Sequence, residues 1–204
     1  MANATPMIVL VITFLALLVA LAGISAGAAG YSWWKTETPI EEEIGLWRTC
    51  TEKTNCYNRE EILEFSDKNK EKDITLTLLL CGGLFAVLAT WSALCLCCCK
   101  GSYSGWICGS VLVLNFSFIA AAANFGAVIY AEIEFKDTWN TSDHGWSAIS
   151  AWIGAAMCFF AFVMGIVLTC LSPTNRRPTS YRHNLEGPYY NQGMQMNEQG
   201  YQQK

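Results

Sequence analysis

MIVLVITFLALLVALAGISAGAAG, residues Met7 to Gly30, runs for 24 residues without an ionisable side chain. As a helix rising about 1.5 Å per residue it would cover roughly 36 Å, more than the ~30 Å hydrocarbon core of a bilayer. Three further stretches have the same character: residues 74–99, 105–131 and 145–171. A membrane β-barrel would instead need alternating segments of about ten residues. The expectation is therefore an all-α membrane protein of four spanning helices. Composition agrees, with 52% hydrophobic and only 15% charged residues in a chain of 204. The net charge of −4 provides no basic surface to neutralise phosphates, so nucleic acid is excluded as a partner. Ala26, Gly27 and Ala28 form a small triplet of the kind a signal peptidase cuts. The upstream segment lacks a basic start, and its apolar run is longer than a signal peptide's. Retention of the first helix is expected; cleavage would leave three helices and put the termini on opposite sides.

Between the spans lie a long polar loop (residues 31–73), a tight link (100–104), a short loop (132–144) and a tail (172–204). An even number of spans puts both termini on one side, and two signals disagree about which side. The long loop carries Lys35, Arg48, Lys53, Arg59, Lys68, Lys70 and Lys72, which by the positive-inside rule would hold it in the cytoplasm. Cysteine placement points the other way. Cys50 and Cys56 are the only cysteines of that loop and can close a small disulfide, whereas Cys95, Cys97, Cys98 and Cys99 crowd the end of the second span. Juxtamembrane thiols of that kind are typical cytoplasmic palmitoylation sites, and four of them in an oxidising compartment would cross-link. A glycosylation sequon at Asn140 falls on the Cys50 side. On this weighing the termini are cytoplasmic and the two larger loops extracellular. Sequons at Asn3 and Asn115 fall in the cytoplasm and the membrane, and neither is expected to carry sugar.

The spans themselves exclude functions. None contains Asp, Glu, Lys, Arg or His, the residues that pumps, transporters and voltage sensors keep at membrane depth. Asn115 and Asn124 are their strongly polar members and are read as hydrogen-bonding across helices. Gly23 with Gly27, Gly105 with Gly109, Ala122 with Gly126 and Ala161 with Gly165 recur at helix-packing spacing. Such pairs serve bundle packing, or lateral self-association through one face. The two histidines, His144 and His183, fall on opposite sides of the membrane, and no phosphate loop or metal-spaced set of ligands appears. No enzyme, cofactor or metal site is expected; for Cys95 to Cys99, acylation or packing ranks above zinc.

The most specific pattern is in the long loop. After Trp33 and Trp34 come Gly45, Leu46, Trp47, Arg48, Thr49 and Cys50, and five residues later Cys56. Ile44 to Cys50 alternates with a period of two, as in a short strand with Trp47 on one face. Trp34 and Trp47 suit the membrane interface, where they would anchor a small sheet to the bundle. This Trp, Gly-Leu-Trp-x-x-Cys-x(n)-Cys arrangement in the first loop of a four-span chain resembles the claudin superfamily. That superfamily includes peripheral myelin protein, the epithelial membrane proteins, lens fibre membrane intrinsic protein and the calcium-channel gamma subunits. The resemblance implies a claudin-like fold: a four-helix membrane bundle with a small extracellular antiparallel β-sheet, mostly from the first loop, with one strand from the third. The five-residue gap between Cys50 and Cys56 is shorter than in typical claudins and closer to the lens fibre and epithelial branch. The ending Tyr201, Gln202, Gln203, Lys204 has no apolar final residue and so no PDZ-binding terminus.

Glu41, Glu42 and Glu43 precede the motif, and Glu60, Glu61 and Glu64 follow it. They form a solvated face or line a cation-favouring path. The tail from Ser172 is rich in Gln, Asn, Tyr, Gly and Pro and is expected to be disordered; Arg176, Arg177 and Arg182 can touch anionic lipid only weakly. The expectation is a non-enzymatic plasma-membrane protein of cell–cell contacts, acting on copies of itself or related four-span proteins in cis or trans. The rival is an auxiliary subunit that changes the gating or trafficking of an ion channel or receptor.

Overall fold

The computed structural model describes residues 4–36, 42–51, 55–58, 66–98, 103–139 and 143–171. The chain divides into two units, residues 1–172 and 173–204. The second, with the expected disordered tail, lies outside the described residues, as do Asn140 and Cys99.

The elements run α1 (Ala4–Ala29), β1 (Trp34–Thr36), β2 (Glu42–Ile44), β3 (Arg48–Thr51), β4 (Asn55–Asn58), α2 (Ser66–Cys98), α3 (Tyr103–Trp139), β5 (Asp143–His144) and α4 (Trp146–Cys170). Among the described residues four helical stretches are long and apolar enough to cross a membrane: Thr5–Ala29, Lys72–Cys98, Gly105–Glu134 and Trp146–Cys170. Helix α2 begins at Ser66 and α3 continues to Trp139, so both reach past the apolar stretches into segments the sequence assigned to loops. Backbone hydrogen bonding carries a helix on through polar residues; hydropathy marks only the part lipid can surround.

Helix α1 packs against α4 and α2, and α3 against α2 and α4. Many inward positions are small: Ala20, Ala86, Ala89, Ala93, Ala120, Ala155 and Ala161 are all buried, with Leu10, Leu17, Leu79, Leu96 and Leu168 between them. Large side chains such as Ile8, Leu15, Leu80, Leu84 and Trp91 point outward instead. In lipid, where burying Leu gains little, small inward residues let backbones approach and gain dispersion contact. The tightest seam joins α1 to α4. A Cβ on Gly23 would lie 2.9 Å from the backbone nitrogen of Gly154, and a Cβ on Gly154 would lie 2.9 Å from that of Ile24.

Three of the paired small positions thus have an inward member at a helix contact: Gly27 meets Ala151, Gly109 meets Leu96, and Gly165 meets Leu114. The fourth pair does not. Ala122 is exposed, and nothing lies within 4 Å of where a Cβ of Gly126 would be. The two asparagines also separate. Asn124 is buried; its Nδ2 donates to the Ala120 carbonyl at 2.7 Å and reaches Cys158 Sγ on α4 at 3.9 Å. Asn115 corrects the sequence reading: it is exposed, and among the described residues its Nδ2 donates to the Val111 carbonyl of its own helix rather than across to another. The two are nine positions apart, two and a half turns at 3.6 residues per turn, so they face opposite ways.

Candidate functional site

The sheet caps the end of the bundle where α1 and α3 finish and α2 and α4 begin. Its strands are ordered β4-β3-β2-β1-β5 and all neighbours are antiparallel. Four strands come from the first loop, and the short β5 pairs with β1 through Trp34 opposite His144 and Lys35 opposite Asp143. The β5 to α4 junction is held by backbone bonds: Gly145 N–H donates to the Trp33 carbonyl at 2.7 Å and Ser147 N–H to the Ser32 carbonyl at 2.9 Å. Gly145 lies so close to the Ser32 carbonyl that no larger residue fits.

Trp33 fastens the sheet to the helices. It is fully buried, and its indole Nε1–H donates to the Gly27 carbonyl at 2.6 Å, near the C-terminus of α1 where carbonyls lack helical partners. Its own backbone N–H donates to the Ile44 carbonyl of β2 at 2.8 Å. Trp33 and Trp34 rings pack 5.2 Å apart, and with Leu46, Leu76, Leu79, Val128 and Ala151 they form one apolar cluster beneath the sheet. The family motif begins at Trp34; the sequence reading names Trp33 beside it but assigns it no anchoring role.

Two expectations about the motif are corrected. Ile44 to Cys50 is not one strand: β2 ends at Ile44, β3 starts at Arg48, and Gly45 to Trp47 make the turn between them. Gly45 packs on the backbone of Tyr31, where a Cβ would lie 2.6 Å from the Tyr31 Cα. Leu46 then drops into the core at 1% exposure while Trp47 stands out at 46%. Alternation in a sequence does not separate a strand from a tight hairpin whose turn residues also alternate between in and out. Trp34 is likewise not an interfacial ring, since it is 2% exposed and packed inside. Among the described residues, amphipathic aromatics that remain exposed near this end include Tyr31 and Trp146, edge to face at 5.9 Å, and Trp47 at the tip of the turn.

Charge on the sheet is paired where it is described. Lys35 Nζ lies 3.4 Å from Glu43 Oε1, whose side chain is 8% exposed. The two are opposite one another in the β1–β2 register. His144 Nε2 lies 2.7 Å from Glu132 Oε1 of α3. Cys50 is buried and stands directly opposite Cys56 in the β3–β4 register. At the other end of the bundle, Cys95 and Cys98 are exposed thiols and Cys97 is half-buried. Among the described residues the arrangement is a small sheet braced on the helices, with Trp47 projecting from the β2–β3 turn. Among the described residues no group of His, Cys, Asp or Glu is placed to hold a metal ion.

A comparison with curated proteins finds no match. A model of the PMP-22/EMP/MP20/Claudin family matches residues 7–168, from the start of the first span almost to the end of the fourth. The Trp33-anchored sheet on four apolar helices is thus the fold of that group, and the chain belongs to the PMP-22/EMP/MP20/Claudin family.

Proposed function

We propose that this multi-pass protein acts at cell–cell contacts of the plasma membrane, without catalysis, by cis and trans association with copies of itself or related four-span proteins. The sheet faces the outside and both termini face the cytoplasm. Cys50 and Cys56 are joined, Asn140 lies on the outer side, and Cys95, Cys97, Cys98 and Cys99 are the acylation sites of the inner leaflet. Supporting the disulfide are the direct register of the two cysteines and the absence of Cys50 from the free thiols of the described residues. Closing so short a loop would contribute about 2 kcal/mol by chain entropy.

The observation that carries the reading is the Gly45–Trp47 turn. An exposed indole costs solubility, yet here the rigid β2–β3 hairpin, held by Gly45 against Tyr31, projects it away from the core. Tryptophans of this kind dominate binding surfaces. The test is a mixed culture of cells that do and do not express the tagged protein. Enrichment only at borders between two expressing cells, reduced by Trp47→Ala at equal surface level, is the expected result. Uniform surface label would reject homophilic contact, and delivery that depends on a co-expressed channel would favour an auxiliary subunit.

A further inference from the structure

One cross-strand row runs through all five strands of the sheet. Asp143 of β5 stands opposite Lys35 of β1, Lys35 opposite Glu43 of β2, Glu43 opposite Cys50 of β3, and Cys50 opposite Cys56 of β4. Residues directly opposite in antiparallel strands share a face, and strand alternation turns this one away from the apolar side that holds Trp34 and Ile44. Glu43 is flanked on one side by the Lys35 ammonium, 3.4 Å away, and on the other by Cys50. With Glu41 and Glu42 its sequence context suggests a solvated face or the lining of a cation path. Glu43 has neither place, because its side chain is 8% exposed and ion-paired.

Burying a carboxylate is costly, and a pair with a half-exposed lysine offsets that cost without giving the charge a use. The neighbour on its other side supplies one. We infer that Glu43 guards the Cys50–Cys56 disulfide against thiol exchange by opposing negative charge on the Cys50 sulfur. The inference rests on the disulfide proposed above.

In exchange, an external thiolate attacks one sulfur and forms a new S–S bond to it. The Cys50–Cys56 bond breaks, and its electron pair leaves on the other sulfur as a thiolate. Cys50 is 2% exposed, so the attack falls on the Cys56 sulfur and the departing thiolate is that of Cys50. That thiolate forms across the ladder from Glu43, at a Cβ separation of about 5 Å, where burial leaves little water to screen the two charges. A like charge so close disfavours the thiolate, and a poorer leaving group slows exchange. Lys35 stems from the next strand over, about 10 Å from the Cys50 backbone, so Glu43 carries the nearer charge. The staple of the outer loop is thus built to persist among external thiols rather than to open as a redox switch.

The test uses full-length protein in detergent micelles. Free thiols are first alkylated, a reductant is added, and newly freed Cys50 and Cys56 are followed by mass spectrometry of labelled peptides. Glu43→Gln should be reduced about tenfold faster than the wild type, and Glu43→Asp, which keeps the charge, within about twofold of it. Asp143→Asn, in the same row but three strands from Cys50, should leave the rate unchanged. Because the charge acts on the leaving sulfur, the acceleration in Glu43→Gln should be the same with neutral mercaptoethanol, cationic cysteamine and anionic glutathione. Equal rates in Glu43→Gln and wild type overturn the inference. So does acceleration confined to glutathione, which puts the repulsion on the attacker, or acceleration with lost amide-exchange protection of Arg48–Thr51, which means that the strand opens. Cys50 and Cys56 found free before any reductant is added reject the disulfide itself, a separate failure.

Discussion

Trp33 shows how much one side chain can set. Its ring fills the space under the sheet and its N–H satisfies a carbonyl at the end of α1, so it joins two elements by area and by hydrogen bond at once. Trp33→Phe keeps most of the ring but strands the Gly27 carbonyl in a dry site, a loss of about 1–3 kcal/mol. Trp33→Ala adds a cavity and should cost about 3–5 kcal/mol. Denaturant titration in micelles, read by tryptophan fluorescence, should rank the two in that order; equal effects would mean the hydrogen bond contributes nothing. Trp47, although nearest the motif's centre, should behave oppositely: its removal leaves stability within about 0.5 kcal/mol, as for other exposed positions.

At the scale of the helices, packing follows the small residues. Gly23 and Gly154 bring α1 and α4 to backbone contact, and neither backbone can move aside for a side chain. Gly154→Leu should therefore destabilise by about 3 kcal/mol or more, at the upper end of overpacking. Gly126→Ala, at a position with open space, should be neutral or slightly stabilising because alanine is the better helix former. Thermal melts of the two variants test this directly, and similar losses in both would contradict the assignment of Gly126 to the outer face. Identical spacing of small residues in the sequence thus hides two situations, which only the neighbouring helix distinguishes.

For the molecule as a whole the strongest constraint is that the loops converge. The ends of α1 and α3 and the starts of α2 and α4 meet at one end, so the first and third loops share a sheet through β1 and β5. The thiols of Cys95, Cys97 and Cys98 belong to the other end. If the sheet faces outward, an impermeant reductant followed by an impermeant maleimide should label intact cells, and Cys50→Ser with Cys56→Ser should abolish that label. Cys95 to Cys99 should react only after permeabilisation and hydroxylamine treatment. Labelling of the loop pair only in permeabilised cells would reverse the topology.

Four membrane helices and the family pattern from Trp34 to Cys56 were legible in the order of residues, because hydropathy over some twenty positions and cysteine spacing are local properties. The turn at Gly45, the burial of Trp34, the anchoring by Trp33 and the outward direction of Asn115 were not. Each depends on what lies across from it: Tyr31 against Gly45, Gly27 against Trp33, and, among the described residues, an exposed side for Asn115. Periodicity says that a residue has a face, and contact between segments distant in sequence fixes what that face meets.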